Sequence, residues 1–141
     1  MAQADSVPRT VTLSSGQVMP TLGLGTYSLT DPEKHSQVIY DSIVKSGYRL
    51  LDCATCYKNE ALVGESLKRA ISDGSVARED MFVVTKLWMT DFKDPETALR
   101  TSLAKLQLEY VDLYLIHWPA GFFDADPANR VPIYVLWRKL E

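Results

Sequence analysis

The sequence predicts an α/β fold with a parallel sheet, and three observations carry that reading. Short β-rich runs alternate along the chain with segments whose apolar residues recur at the helical period. The runs end at Gly25, Asp52, Lys86 and His117, about 27, 34 and 31 residues apart. That is the spacing of successive βα units joined by right-handed crossovers. The run Met81 to Lys86 is continuous rather than alternating, as in a parallel strand covered on both faces.

The elements follow in order. Val11-Thr12-Leu13 and Val18-Met19 flank the turn-forming Ser14 to Gln17, which reads as a short hairpin. Leu22 to Gly25 is a short strand whose glycines permit close approach of another group. Thr30-Asp31-Pro32-Glu33 starts a helix: Thr30 or Asp31 caps, Pro32 suits the first turn, and Glu33 completes a capping box with Thr30. Its inner face is expected to hold Val38, Ile39, Ile43 and Val44, with Gly47 as the stop. Leu50 to Asp52 is a buried strand. A second helix runs from about Asn59 to Ala70 or Ile71 on Leu62, Val63, Leu67, Ala70 and Ile71, and Asp73-Gly74 closes it. After the strand Met81 to Lys86, Asp94-Pro95-Glu96 opens a third helix with Leu99, Leu103, Leu106 and Leu108 inward. Val111 to His117 is the fourth strand, Pro119 to Pro132 a loop, and Ile133 to Glu141 an amphipathic helix without a stop signal.

The composition excludes several function classes. At 141 residues and 46% apolar the chain can bury a core, so wholesale disorder is out. A net charge of −3 leaves no basic excess to neutralise phosphates, which argues against a nucleic-acid partner. No apolar run approaches the roughly 18–20 residues that span a bilayer. Met1 to Thr10 is a polar extension without a secretory apolar region, so a cytoplasmic location is expected. Cys53 and Cys56 form a Cys-x-x-Cys, but a redox pair of that kind usually opens a helix in a thioredoxin-like unit. A structural zinc site wants four ligands, and only His35 and His117 stand beside the two cysteines, so no metal is expected. Gly23-x-Gly25 is not a dinucleotide fingerprint, because Ser28 holds the third glycine's place. His35, Lys68 and Arg69 read as solvated side chains.

Chemistry gathers at the carboxyl ends of parallel strands. Asp52, Lys86 and His117 each end a strand on this reading, and Tyr57 follows Asp52 by five residues. A charge ending an apolar run needs a partner, so Asp52 and Lys86 are expected to pair. The same placement suits a purely structural ion pair with a hydrogen-bonded histidine. The functional alternative is carbonyl reduction. A tyrosine hydroxyl can donate the proton, but its ordinary pKa is about 10. A neighbouring ammonium favours the phenolate, and a carboxylate holds that ammonium charged. A histidine can orient the carbonyl oxygen.

The segment Gly47-Tyr48-Arg49-Leu50-Leu51-Asp52-Cys53-Ala54-Thr55-Cys56-Tyr57-Lys58-Asn59-Glu60, with Gly64 beyond it, resembles the signature of the aldo-keto reductase family. Lys86-Leu87-Trp88, Leu113 to Pro119, and Met19-Pro20 with Gly23 to Thr26 are similar to further family segments. The resemblance covers residues 11–141. It implies the N-terminal portion of a (β/α)8 TIM barrel: the hairpin and about the first four βα units, as a single truncated domain. It implies NADPH-dependent reduction of aldehydes or ketones to alcohols. The catalytic tetrad would be Asp52, Tyr57, Lys86 and His117, with Tyr57 as general acid. Gly25, Thr26 and Asp52 match positions that touch the nicotinamide end of the cofactor. Tyr27, Trp88, His117 and Trp118 match the substrate wall, where relatives often have Trp in place of Tyr27. For Phe122 and Phe123 core packing is the expectation.

A closed barrel of this kind needs about 250 residues. The alternative function is therefore a truncated, catalytically inactive fragment that acts at most as a binding or structural remnant. In the family, most contacts to the adenine, ribose phosphate and pyrophosphate come from the last strands and loops. The full-length protein is expected to be a monomer. An open half-barrel leaves its first and fourth strands as unpaired edges. The 141-residue chain alone is accordingly expected to be unstable, aggregated or self-associated. Sedimentation combined with thermal unfolding tests this, and a cooperative monomeric melt refutes it.

Overall fold

The computed structural model describes residues 9–119 and 130–141. Phe122, Phe123 and the first eight residues lie outside that range. Strands β1 (Thr10–Thr12) and β2 (Val18–Pro20) form the expected antiparallel hairpin, with Val11 opposite Met19. Four strands then form one parallel sheet in chain order: β3 (Leu24–Gly25), β4 (Leu50–Asp52), β5 (Phe82–Leu87) and β6 (Leu113–Ile116). Helices α1 (Pro32–Val44), α2 (Glu60–Ser72) and α3 (Pro95–Leu106) connect them, and α4 (Ile133–Leu140) follows β6. Neighbouring helices pack on one another in sequence, α1 on α2, α2 on α3 and α3 on α4. Among the described residues no helix is long and apolar enough to cross a membrane.

The main core lies between the helices and one face of the sheet. Ile39, Ile43, Leu51, Val63, Leu67, Val83 and Leu106 are fully buried there. Each such side chain contributes about 1.5–3 kcal/mol by leaving water. A smaller cluster, Leu87, Met89, Phe92, Ala98 and Leu136, seats α4 beside the end of β5.

Several expectations are corrected. Val38 and Val44 of α1 are exposed, while Ile39 and Ile43 alone are buried in that helix. Of the two expected caps, Thr30 and Asp31, the second is the one used, and its side chain accepts the N–H groups of Glu33 and Lys34. With Asp31 as the cap, Glu33 stands at the second helical position rather than the third, so the box expected between Thr30 and Glu33 does not form. His35 is half-buried, and its Nδ1 accepts the backbone N–H of Asp31 at 3.0 Å. On α3 the inner face is Pro95, Ala98, Ser102 and Leu106, with Leu99 and Leu103 only half-buried. Strand β6 starts at Leu113 rather than Val111. Asp112 precedes it as a clamp: its carboxylate accepts Arg78 Nη2 and the Val83 N–H, both at 2.8 Å, and Gln17 Nε2 at 3.0 Å. That clamp ties the hairpin to the base of the sheet.

Gly64 of α2 lies directly against the Leu106 backbone at the end of α3. A Cβ there would stand 2.5 Å from the Leu106 carbonyl oxygen, a backbone atom that cannot step aside. Gly64→Ala should therefore force α2 and α3 apart and cost about 1–3 kcal/mol, the usual penalty of overpacking. Urea unfolding followed by circular dichroism would show the lowered midpoint; an unchanged midpoint contradicts the packing described.

Candidate active site

The carboxyl ends of β4 and β5, the turn after β4 and the residue after β6 bring four side chains together. Asp52 ends β4, opposite Val84 and beside Gly25 in register. On β5 successive side chains alternate between faces. Thr85 is fully buried, with its hydroxyl donated to Glu60, and Lys86 is only part-buried. Tyr57 ends a 3₁₀ turn, Thr55–Tyr57, which Lys58 closes at φ +56°. His117 follows β6, and its backbone N–H is donated to the Leu87 carbonyl at 3.1 Å.

The Lys86 ammonium has three N–H groups, and three acceptors meet it. They are Asp52 Oδ1 at 2.5 Å, the Cys53 carbonyl at 2.8 Å and the Tyr57 hydroxyl oxygen at 3.3 Å. Burial by itself would push the lysine down. The Asp52 carboxylate and then the Tyr57 hydroxyl outweigh it and hold Lys86 above its ordinary value. The His117 ring stands edge-on to Tyr57 with centroids 5.8 Å apart. Burial, and then the Lys86 charge, push His117 down. The imidazole is therefore neutral near pH 7.

Aromatic rings line the same place. Tyr27 stands edge-on to Tyr57 at 5.2 Å, Trp88 edge-on to His117 at 5.1 Å, and Trp118 lies parallel to His117 at 6.4 Å. Tyr27 and Trp118 are 71% and 53% exposed, so their faces are open to a ligand. Gly25 is exposed, and a Cβ there would meet nothing within 4 Å. Bare backbone beside Asp52 is thus open to a planar ring. Thr26 differs from the expectation of direct contact. It is fully buried, and both its N–H and its hydroxyl are donated to the Asp52 carbonyl, at 3.1 and 3.0 Å. Thr26 therefore braces Asp52 from beneath.

Three supporting residues escaped the reading of the sequence. Asn59 is buried and donates to the carbonyls of Thr26 and Leu29, at 2.6 and 3.1 Å, which fixes the loop bearing Tyr27. Glu60, also buried, accepts Thr85 Oγ1 at 2.7 Å and Ser102 Oγ at 3.1 Å. Cys56 brings its Sγ to 3.6 Å from His117 Nδ1. Their only signal was the run Cys56 to Glu60 itself, since every partner is distant in sequence. Cys53 is fully buried and its thiol is pushed up to about 12, so it supplies no thiolate for a redox pair.

Residues 21–140 match the sequence profile of the Aldo/keto reductase family. The chain belongs to that family. Methylglyoxal reductase of Escherichia coli is 46% identical over 117 residues, covering 83% of this chain and 40% of the relative. The NAD(P)H-dependent D-xylose reductase of Candida tenuis is 43% identical over 150 aligned residues, covering 93% and 46%. The crystal structure of a Bombyx mori aldo-keto reductase in complex with NADP superposes with a TM-score of 0.81 at 33% identity, over 93% of this chain and 45% of that one. The fold is thus that of part of an aldo/keto reductase (β/α)8 barrel: the hairpin and the first parallel strands. The chain spans less than half the length of these relatives.

In this aldo/keto reductase chain, the depressed His117 gives a pH prediction. Its imidazole should titrate below the ordinary 6.5. Lys86→Met, which removes the neighbouring charge, should move the midpoint upward. Because the unfolded chain takes up that proton at higher pH than the folded one, His117 subtracts stability as pH falls from 6.5 through its lowered pKa. Histidine NMR titration measures this directly, and a wild-type midpoint above 6.5 contradicts the environment described.

Proposed function

We propose that this site reduces aldehydes or ketones to alcohols with NADPH, and that Tyr57 is its general acid. The observation that carries the reading is the Asp52–Lys86–Tyr57 chain of hydrogen bonds at the open end of the sheet. When a carbonyl is reduced, negative charge develops on its oxygen and must be met by a proton. Tyr57 donates it from its hydroxyl. The third N–H of Lys86 already points at that hydroxyl oxygen, so it stabilises the charge left there. Asp52 fixes the ammonium in place at no cost in reorganisation. His117, neutral and beside Tyr57, hydrogen-bonds the same carbonyl oxygen and orients it.

The exposed backbone of Gly25 and the adjoining Asp52 fit the nicotinamide end of NADPH, and Thr26 supports them from below. When bound, that cofactor supplies the hydride. Tyr27, Trp88 and Trp118 form the apolar wall against which the carbonyl compound rests. The relatives' names support the reaction class and specify different compounds, methylglyoxal and D-xylose. The substrate of this chain is accordingly assigned only as a small carbonyl compound. The chain is read as a cytoplasmic protein that acts without nucleic acid or membrane partners.

Tyr57→Phe removes the proton and should lower carbonyl reduction by about 10²–10⁴-fold, the usual weight of a positioned acid. NADPH binding, measured by fluorescence titration, should stay within a few-fold. Undiminished turnover would remove Tyr57 from the role. The same titration bears on the alternative of a catalytically inactive remnant: micromolar or tighter NADPH binding by this chain contradicts it.

A further inference from the structure

The mechanism leaves one contact in the site without a task. Cys56 lies in the turn that carries Tyr57, and its Sγ stands 3.6 Å from Nδ1 of His117, 61 residues further along the chain. The distance is that of a hydrogen bond to sulfur. Its direction follows from the chemistry of the two groups. A thiol is a weak donor and a weaker acceptor, whereas an unprotonated imidazole nitrogen is a good acceptor. An S–H donated to Nδ1 is therefore the better of the two arrangements. Burial also pushes the Cys56 thiol up, and burial together with Lys86 pushes His117 down, so a thiolate–imidazolium pair is disfavoured.

We infer that Cys56 is a positioning residue that sets the tautomer of His117. With Nδ1 accepting from the thiol, the single proton of the neutral ring sits on Nε2. That matters for the proposed reaction, and only this consequence rests on that reading. A carbonyl oxygen offers lone pairs, so the ring nitrogen facing it must carry a hydrogen. In the other tautomer Nε2 would present a lone pair to a lone pair, and His117 would repel the oxygen it has to hold. Packing alone does not settle the choice. The rings of Trp88, Tyr57 and Trp118 around His117 fix its plane. Rings packed at those distances orient an imidazole whichever nitrogen is protonated.

The two histidines of the chain make the test direct. Nitrogen NMR of the full chain, labelled in histidine, distinguishes a protonated ring nitrogen from an unprotonated one. His35 is an internal reference, because its Nδ1 accepts the Asp31 N–H and its proton is likewise on Nε2. The expected spectrum has His117 unprotonated at Nδ1 and protonated at Nε2. In Cys56→Ala the His117 nitrogens should move toward the averaged shifts of mixed tautomers, Cys56→Ser should restore them, and His35 should not change. Wild-type His117 protonated at Nδ1 would overturn the inference, as would nitrogen shifts unchanged in Cys56→Ala. Under saturating NADPH, Cys56→Ala should lose about three- to tenfold in kcat for carbonyl reduction, the weight of one modest hydrogen bond, and Cys56→Ser should recover most of it. Absence of turnover in the wild-type chain would count against the proposed reaction, and the imidazole spectra would still decide the tautomer.

Discussion

A lysine at the end of a buried strand is the constraint around which this half of the structure is arranged. Lys86 sits next to last in β5, whose other residues are buried, and its ammonium must leave water with every N–H satisfied. Asp52, the Cys53 carbonyl and the Tyr57 hydroxyl supply three acceptors from one adjoining segment. For those acceptors to converge, β4 must end at Asp52 and the chain must turn at once. Ala54 is buried under that turn, and Lys58 takes a left-handed conformation to finish it. The short β4 and the tight turn after it are therefore consequences of housing one cation. Removing that cation would leave the Asp52 carboxylate without its ion pair and the turn without the donor that draws it toward β5.

Behind this face lies a second polar centre, and it explains why the strand holds still. Thr85, the residue before Lys86, points the opposite way and donates to the buried Glu60. Glu60 opens α2 and also accepts from Ser102 of α3, whose hydroxyl lies 3.0 Å from that of Thr55 in the Tyr57 turn. One buried carboxylate thus joins β5, α2, α3 and the turn. A network of this kind is stable only when each member is satisfied, and here the hydroxyls of Thr85 and Ser102 meet both oxygens. Lys86 and Tyr57 are consequently held from two sides: by each other in the open site, and by Thr85 and Thr55 from within the core. Small displacements at either residue would have to break hydrogen bonds on both faces of the sheet.

The order of strands and helices, the parallel sheet and the meeting of Asp52, Tyr57, Lys86 and His117 were legible in the sequence. Strand periodicity and βα spacing are local signals, and a charge at the end of an apolar run announces its need for a partner. What could not be read has a common cause. Glu60, Asn59 and Cys56 act through residues 25 to 61 positions away, and helical periodicity says only which face each occupies. The burial of Thr26 follows from the Asp52 carbonyl above it, which no motif indicates. Boundaries failed where a side chain replaced a backbone partner. Asp112 takes the Val83 N–H with its carboxylate, so β6 begins at Leu113, two residues after the expected start at Val111. Val38 and Val44 flank Ile39 and Ile43 in sequence, and a period of 3.6 cannot say which member of each adjacent pair faces the core.

The charge distribution of the site carries the argument one step further. Four groups that can exchange protons, Tyr57, Lys86, His117 and Cys56, stand within one cluster, and of the two that can be cations, Lys86 and His117, the surroundings charge only Lys86. Asp52 holds Lys86 protonated. That same ammonium, acting with burial, keeps His117 neutral, and burial keeps the Cys56 thiol protonated. Environments that drive neighbouring groups apart in this way separate their roles. A second cation at His117 would compete with Lys86 for the oxygen of Tyr57 and repel it across the site. A neutral histidine can instead serve as a directional donor. Asp52 anchors the one cation and on its own would favour a charged histidine, but burial and then the Lys86 ammonium outweigh it and keep His117 uncharged beside Tyr57.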